Sequence, residues 1–266
     1  MSKVIGVVNQ KGGVGKTTLS LSLGASLARL GHKVCLVDCD PQANLTMALG
    51  HQQPDELPVT LPHIMAAIIE NGNKVDNLEV LQERKFLHHA HGVDFVPSSI
   101  DLADLETTLL STIARESVLK KFIGTIKNDY DFVILDGPPS LNILTVCLLT
   151  AADSVIIPTQ PQYFSAKGIE LLLRTIAKVR ENLNPNLSIM GSMITMFDGR
   201  LNFHKEVHKT LTRSYSKYFR VFETKIPLSV RVTESQAKGQ SIFDTDPTGK
   251  IAQGYDDFAK ELLSVA

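Results

Sequence analysis

The chain has 266 residues, 43% of them hydrophobic and 21% charged, with a net charge of −1. These values fit one folded domain with a sizeable core and exclude a disordered or fibrous chain. Near-neutrality excludes a globally basic nucleic-acid binder, so any phosphate-attracting surface has to be local.

The chain opens on an apolar run, Val4-Ile5-Gly6-Val7-Val8, without a basic–apolar–small-residue leader, which predicts a cytoplasmic protein. Next come Lys11-Gly12-Gly13-Val14-Gly15-Lys16-Thr17-Thr18 and a helix-patterned segment from Leu19 to Ala28. Strand, glycine-rich loop and helix in that order are the context of a phosphate-binding loop. Glycines let backbone N–H groups turn inward around an anion. The helix that starts near Thr17 adds free N–H groups and the positive end of its dipole. In that geometry Lys16 reaches the β- and γ-phosphates of a nucleoside triphosphate, and the Thr17 hydroxyl ligates Mg2+. The plainer alternative is a glycine-rich turn before a helix, with a solvated lysine. Glycine spacing, the Lys-Thr ending and the strand–helix context together stand against it.

A second lysine, Lys11, occupies the first variable position of the loop. Here the chain resembles the deviant Walker A ATPases, and among them the ParA/Soj family of chromosome and plasmid partition ATPases. The resemblance implies an α/β fold of the P-loop NTPase type, a mostly parallel central β-sheet flanked by helices on both faces. It implies ATP and Mg2+ as cofactors and an ATP-dependent homodimer, with Lys11 crossing to the partner's nucleotide phosphates. Catalysis would then rest on Lys11, Lys16 and Asp40.

Gly31 ends the first helix, and His32 to Val37 reads as a second buried strand running into Asp38-Cys39-Asp40-Pro41-Gln42. Open α/β sheets bind ligands at the carboxyl ends of their strands, which brings Asp38 and Asp40 beside the loop. Carboxylates there repel a triphosphate unless a cation or an attacking water intervenes. A capping aspartate before a proline turn is the alternative. The D-x-D-P-Q string resembles the family's switch I, which implies that Asp40 orients the hydrolytic water, directly or through the Mg2+ shell. Cys35, Cys39 and Cys147 form no C-x-x-C pair and read as reduced, buried thiols, not metal ligands.

Residues 50–92 are poor in signal: Pro54, Pro58 and Pro62 punctuate a loop, and Ile64 to Ile69 suggests a short helix. His88, His89 and His91 match no helix face and read as a solvated loop. A short strand over Val93–Pro97 and helices over about 101–113 and 116–128 follow. Tyr130 to Leu135 is a β-rich apolar run ending in Asp136-Gly137-Pro138-Pro139. That is the Walker B pattern, with Asp136 holding Mg2+ through water and Gly137 allowing close approach to the γ-phosphate. In the family this segment is switch II.

The longest apolar stretch, near Leu141 to Pro158, is interrupted by Asn142 and Asp153 and makes no membrane span. Ala152 to Gln160 reads as a strand and loop. Ser165 to Asn182 reads as a helix with Leu171, Leu172, Ile176 and Val179 inward. The stretch from Thr159 through Tyr163 and Phe164 to Gly168 resembles the family's segment after its switch II helix. Ser188 to Phe197 is a further strand. The resemblance places adenine between that strand's end and the loop around Ile226-Pro227, which implicates Met196 and Pro227.

The helix from about Phe203 to Tyr218 should bury Phe203, Val207, Leu211 and Tyr215, while Lys205, Lys209, Arg213 and Lys217 recur four apart on another face. From Arg200 to Lys238 nine cationic residues face three acidic ones, +6 in a chain of net −1. Alone, this describes either a solvated face or a phosphate-binding one. The resemblance implies non-specific double-stranded DNA, contacted through Arg200, Lys205, Lys209, Arg213, Lys217 and Arg231. Family members often carry arginine where this chain has Leu228.

The chain closes with Asp246-Pro247 and a helix from about Ile251 to Leu263, and no repeat or linker divides it, so residues 1–266 read as one domain. It starts at its first strand, without the N-terminal helix-turn-helix extension of longer plasmid relatives. The implied function is partition driven by slow ATP hydrolysis, stimulated by a ParB-like centromere-binding protein, with the ATP-bound form on the nucleoid. Two alternatives are a MinD-like membrane-positioning ATPase and an iron–sulfur carrier of the nitrogenase-reductase type. The first needs a basic amphipathic C-terminal helix, and the segment from Tyr255 to Ala266 is acidic. The second needs bridging cysteines, which the spacing does not supply.

Overall fold

The computed structural model describes residues 2–162 and 165–265. Among them eight strands form one sheet: β1 (Lys3–Val7), β2 (Val34–Asp38), β3 (His88–Ala90), β4 (Val93–Val96), β5 (Phe132–Asp136), β6 (Ser154–Thr159), β7 (Ser188–Phe197) and β8 (Val221–Pro227). Their spatial order is β3-β4-β2-β5-β1-β6-β7-β8, parallel throughout except for the β3–β4 edge pair. β2 and β5 are buried along their whole length. That is why they read as unbroken apolar runs and not as alternating ones.

Helices cover both faces. On one face α3 (Leu61–Glu70), α5 (Asp101–Ser111), α6 (Val118–Ile126), α7 (Ile143–Ala151), α8 (Ser165–Asn182) and α9 (Asn202–Tyr215) bury Ile64, Leu105, Phe122, Leu148, Leu172 and Leu211. On the other α1 (Lys16–Arg29), α2 (Asn44–Ala48), α11 (Ile242–Thr245) and α12 (Lys250–Leu263) bury Leu23, Leu45, Ile242 and Phe258. The short α4 (Glu79–Glu83) lies before β3, and α10 (Val230–Ala237) follows β8. This is the mostly parallel, helix-flanked sheet that the family resemblance implies.

Register aligns the carboxyl ends of three strands. Val7 and Asp38 both pair with Asp136, so β1, β2 and β5 end level. After β1 the chain turns towards β2 on one side, while β6 joins the other side of β1. The loop leaving β1 therefore lies at the point where the sheet reverses its winding, where ligands of open α/β sheets sit.

Several local expectations are corrected. His88–Ala90 is not a solvated loop but the edge strand β3, antiparallel to β4; His88 packs edge-on to His51, centroids 4.8 Å apart. Leu171 is 40% exposed, and Ile169 takes its inward place beside Leu172, Ile176 and Val179. Phe203 is 53% exposed, in the first turn of a helix that starts at Asn202 and buries Leu211 and Tyr215 further along. His204 and His208 lie against Phe197 there instead. Ile226-Pro227 ends a strand rather than sitting in a loop. Tyr163 and Phe164 lie outside the described residues.

Candidate active site

The loop from β1 to α1 has the conformation its glycines predict. Gly13 and Gly15 adopt φ values of 71° and 85°, left-handed backbone that side-chain-bearing residues rarely adopt. A Cβ on Gly13 would meet nothing within 4 Å, so conformation and not space demands glycine there. Thr195 on β7 donates its hydroxyl to the Val14 carbonyl at 2.8 Å, and Gln160 donates to the Gly13 carbonyl at 2.7 Å. Two neighbouring segments thus hold the loop's outer carbonyls. Gly12 and Thr18 complete the loop, and the Thr18 hydroxyl lies 3.2 Å from the Gln236 amide oxygen of α10.

Within that frame charges converge. Asp136, fully buried at the end of β5, accepts the Thr17 hydroxyl at 2.8 Å and the Ser20 hydroxyl at 2.7 Å. Burial pushes its carboxyl up to about 6, against the pull of those hydroxyls and of Lys16. Lys16 is 7% exposed, and its ammonium donates to the Lys11 carbonyl at 3.4 Å. Burial lowers its pKa although Asp136 and Asp40 favour the charged form. Asp40, 5% exposed, accepts the Gln42 N–H at 3.0 Å. Burial raises its pKa, opposed by that N–H and by Lys16.

The carboxylate and hydroxyl oxygens of Asp136 and Thr17, with Asp40 in electrostatic range of the same lysine, are hard donors suited to Mg2+. Asp38 does not join them. Both its oxygens are occupied, by the Asp40 N–H at 3.2 Å and by the Thr46 N–H and hydroxyl at 2.9 and 2.7 Å. It braces the segment carrying Asp40. A Cβ on Gly137 would come 3.0 Å from the Val7 carbonyl, so glycine is needed there for the close packing on β1.

Lys11 sits on the rim, half-buried, its ammonium paired with the Gln162 side chain of its own chain. Met196 adopts φ 52° beside the loop, its Sδ 2.7 Å from the Gln160 amide, and Phe197 next to it pairs with Pro227. The ends of β7 and β8 therefore bring Met196 and Pro227 to the same edge as the loop. The basic residues are surface groups. Lys205, Lys209 and Arg213 are exposed along α9, and Lys217 lies past its end, over the Tyr218 ring at 5.0 Å. Arg200 makes a two-pronged ion pair with Asp198, Lys209 pairs with Glu206, and Arg231 pairs with Asp246.

Sequence reasoning passed over Ser20, Gln160, Thr195 and Gln236. Ser20 had a readable signal, one helical turn past Lys16 on the same face of α1. The other three reach the loop through sequence separations of 147, 181 and 218 residues, which no local pattern encodes.

A family model described as an AAA domain matches residues 2–189. The sporulation initiation inhibitor protein Soj of Bacillus subtilis is 39% identical over 266 residues, 99% of each chain. The chromosome partitioning protein ParA of Caulobacter vibrioides is 34% identical, covering 98% of this chain and 94% of that one. Among solved structures, cobyrinic acid a,c-diamide synthase from Mycobacterium smegmatis with bound ATP analog and magnesium superposes with a TM-score of 0.81. It is 35% identical, over 99% of this chain and 95% of that one. Likeness of this degree, running nearly end to end through a loop, Asp40 and Asp136 arranged as described, means that the chain belongs to the ParA/Soj family of chromosome and plasmid partition ATPases.

Proposed function

We propose that this protein is a nucleotide-switched partition ATPase that uses ATP and Mg2+. One observation carries the reading: a desolvated cation, Lys16, and a desolvated carboxylate, Asp136, flank the same loop, each held away from its ordinary pKa by burial. A polyphosphate beside the first and a divalent cation beside the second would offset that desolvation. Lys16 and the loop's N–H groups would hold the phosphates, with Thr17 and Asp136 turned to the metal. Bound there, Mg2+ would neutralise phosphate charge. Asp40, anchored by Gln42 and braced through Asp38, would orient the attacking water. Lys11 would leave Gln162 and cross to a second subunit's phosphates, so that nucleotide binding and dimerisation are one event. The exposed cations of α9, with Arg200 and Arg231, would then meet phosphates of non-specific double-stranded DNA. A ParB-like protein would stimulate hydrolysis and release.

Membrane recruitment is less well supported. The apolar face of α12, from Ile251 to Leu262, is buried against α1 and β8, leaving no such face for lipid. No helix among the described residues is long and apolar enough to cross a membrane. The decisive experiment is a DNA mobility shift with ATP, ADP or no nucleotide at low salt. Binding that needs ATP and ignores sequence is expected; equal retention in all three refutes the switch.

A further inference from the structure

α10 approaches the loop through one side chain. The Gln236 amide oxygen lies 3.2 Å from the Thr18 hydroxyl, and the amide nitrogen at the other end is buried, with no hydrogen-bond partner among the described residues. A hydroxyl can donate or accept, so either orientation of the amide leaves one end unmatched. Leaving a buried polar group unpaired is costly, and structures retain such groups chiefly where a ligand, ion or water completes them. This one adjoins the loop rather than the surface. α10 begins three residues after Pro227, at the strand edge that also carries Met196. The amide sits near the C-terminal end of that helix, against the Thr18 hydroxyl of the loop.

We propose that Gln236 is a nucleotide-binding residue of this chain. Its Thr18-facing end fixes the amide, and its free end hydrogen-bonds to the bound nucleotide, drawing α10 onto the site. Because Arg231 lies on the same eight-residue helix, nucleotide occupancy and the position of a basic surface residue become linked. This rests on the nucleotide reading above.

Gln236→Leu keeps the bulk and removes both polar ends. The test measures the Kd of ADP with Mg2+ by calorimetry, alongside the Tm of nucleotide-free protein. Affinity should fall about tenfold, about 1.4 kcal/mol. The nucleotide-free Tm should hold or rise, since an unmatched donor has gone. A residue that merely ties α10 to α1 gives the opposite pattern, a lower Tm with ADP affinity intact, and that overturns the proposal. Gln236→Glu is the second variant. It still accepts from Thr18 but offers the nucleotide an oxygen in place of an N–H, so ADP binding should again weaken at least tenfold. Wild-type affinity in either variant overturns the proposal. Failure of the unaltered protein to bind ADP or ATP instead overturns the nucleotide reading itself.

Discussion

Asp136→Asn should stabilise the nucleotide-free protein while removing its response to Mg2+ and nucleotide. The carboxyl is fully buried and pushed from 3.8 up to about 6. At about 1.4 kcal/mol per pH unit, keeping it ionised in the fold costs roughly 3 kcal/mol at pH 8. An amide of the same shape avoids that cost but weakens the contacts with Thr17 and Ser20, a loss of about 1 kcal/mol. The net gain is roughly 2 kcal/mol, or about 4–8 °C in Tm for a domain of this size. Relief of Asp38, whose carboxyl stands at about 8 through burial and then through repulsion by Asp136, acts in the same direction. The sign of the pH dependence follows. Below pH 6 the native state takes up a proton that the unfolded chain takes up only near 3.8, so wild-type stability rises as pH falls through that window. In Asp136→Asn this part of the slope should vanish. Differential scanning fluorimetry in EDTA from pH 5 to 8, repeated with Mg2+ and ATP, reads both effects. A nucleotide-free Tm at pH 8 below that of the unaltered protein would refute the argument, because the carboxylate would then stabilise the fold.

The remaining site residues give sharper separations. Lys11→Ala should bind ATP normally yet form no ATP-dependent dimer in light scattering, since in its own chain the ammonium pairs with Gln162 on the rim; unchanged dimerisation would end the trans role. Asp40→Ala should hold an ATP-bound dimer without turnover, and ordinary phosphate release by that variant would remove Asp40 from the mechanism. Charge reversal at Lys209 and Arg213, both exposed on α9, should cut DNA affinity about tenfold or more at low salt and flatten its salt dependence. Full retention would move the DNA surface elsewhere.

What the sequence made legible follows local geometry. The loop from Lys11 to Thr18 is one contiguous segment whose glycines impose their own conformation, and Asp136 closes an apolar run that can only be a buried strand. Two strands and one side chain show why other features escaped. β3 has only three residues and is rich in histidine, with none of the β-branched pattern that marks a strand. β8 mixes Glu223 and Lys225 into an edge position, where one face is wet and alternation is broken by register shifts against β7. Phe203 was misplaced because helical spacing gives a face but not where the neighbouring surface stops. The bracing of Asp38 by Thr46 was invisible for another reason: an acidic side chain at a strand end has the same letter whether it faces a metal or a hydroxyl.

The contact that ties the two halves of this machine together makes a strong claim about glycine. Gly239, two residues past the end of α10, has φ +65°, and a Cβ there would stand 2.7 Å from the Cα of Gly50, two residues past the end of α2. Backbone meets backbone, so no side chain can yield. Gly239→Ala therefore combines left-handed strain of about 1–2 kcal/mol with a forced separation of α10 from α2, and should lower Tm by several degrees. Gly124, exposed on α6 with nothing within 4 Å of its virtual Cβ, is the matched control. There alanine should be neutral or raise stability by about 0.5–1 kcal/mol. Separating α10 from α2 should also weaken ATP-dependent DNA retention in Gly239→Ala beyond what its Tm loss explains, because Gln236 and Arg231 move with that helix. Equal behaviour of the two alanine variants, in Tm and on DNA, would mean that the docking of α10 against α2 carries no signal.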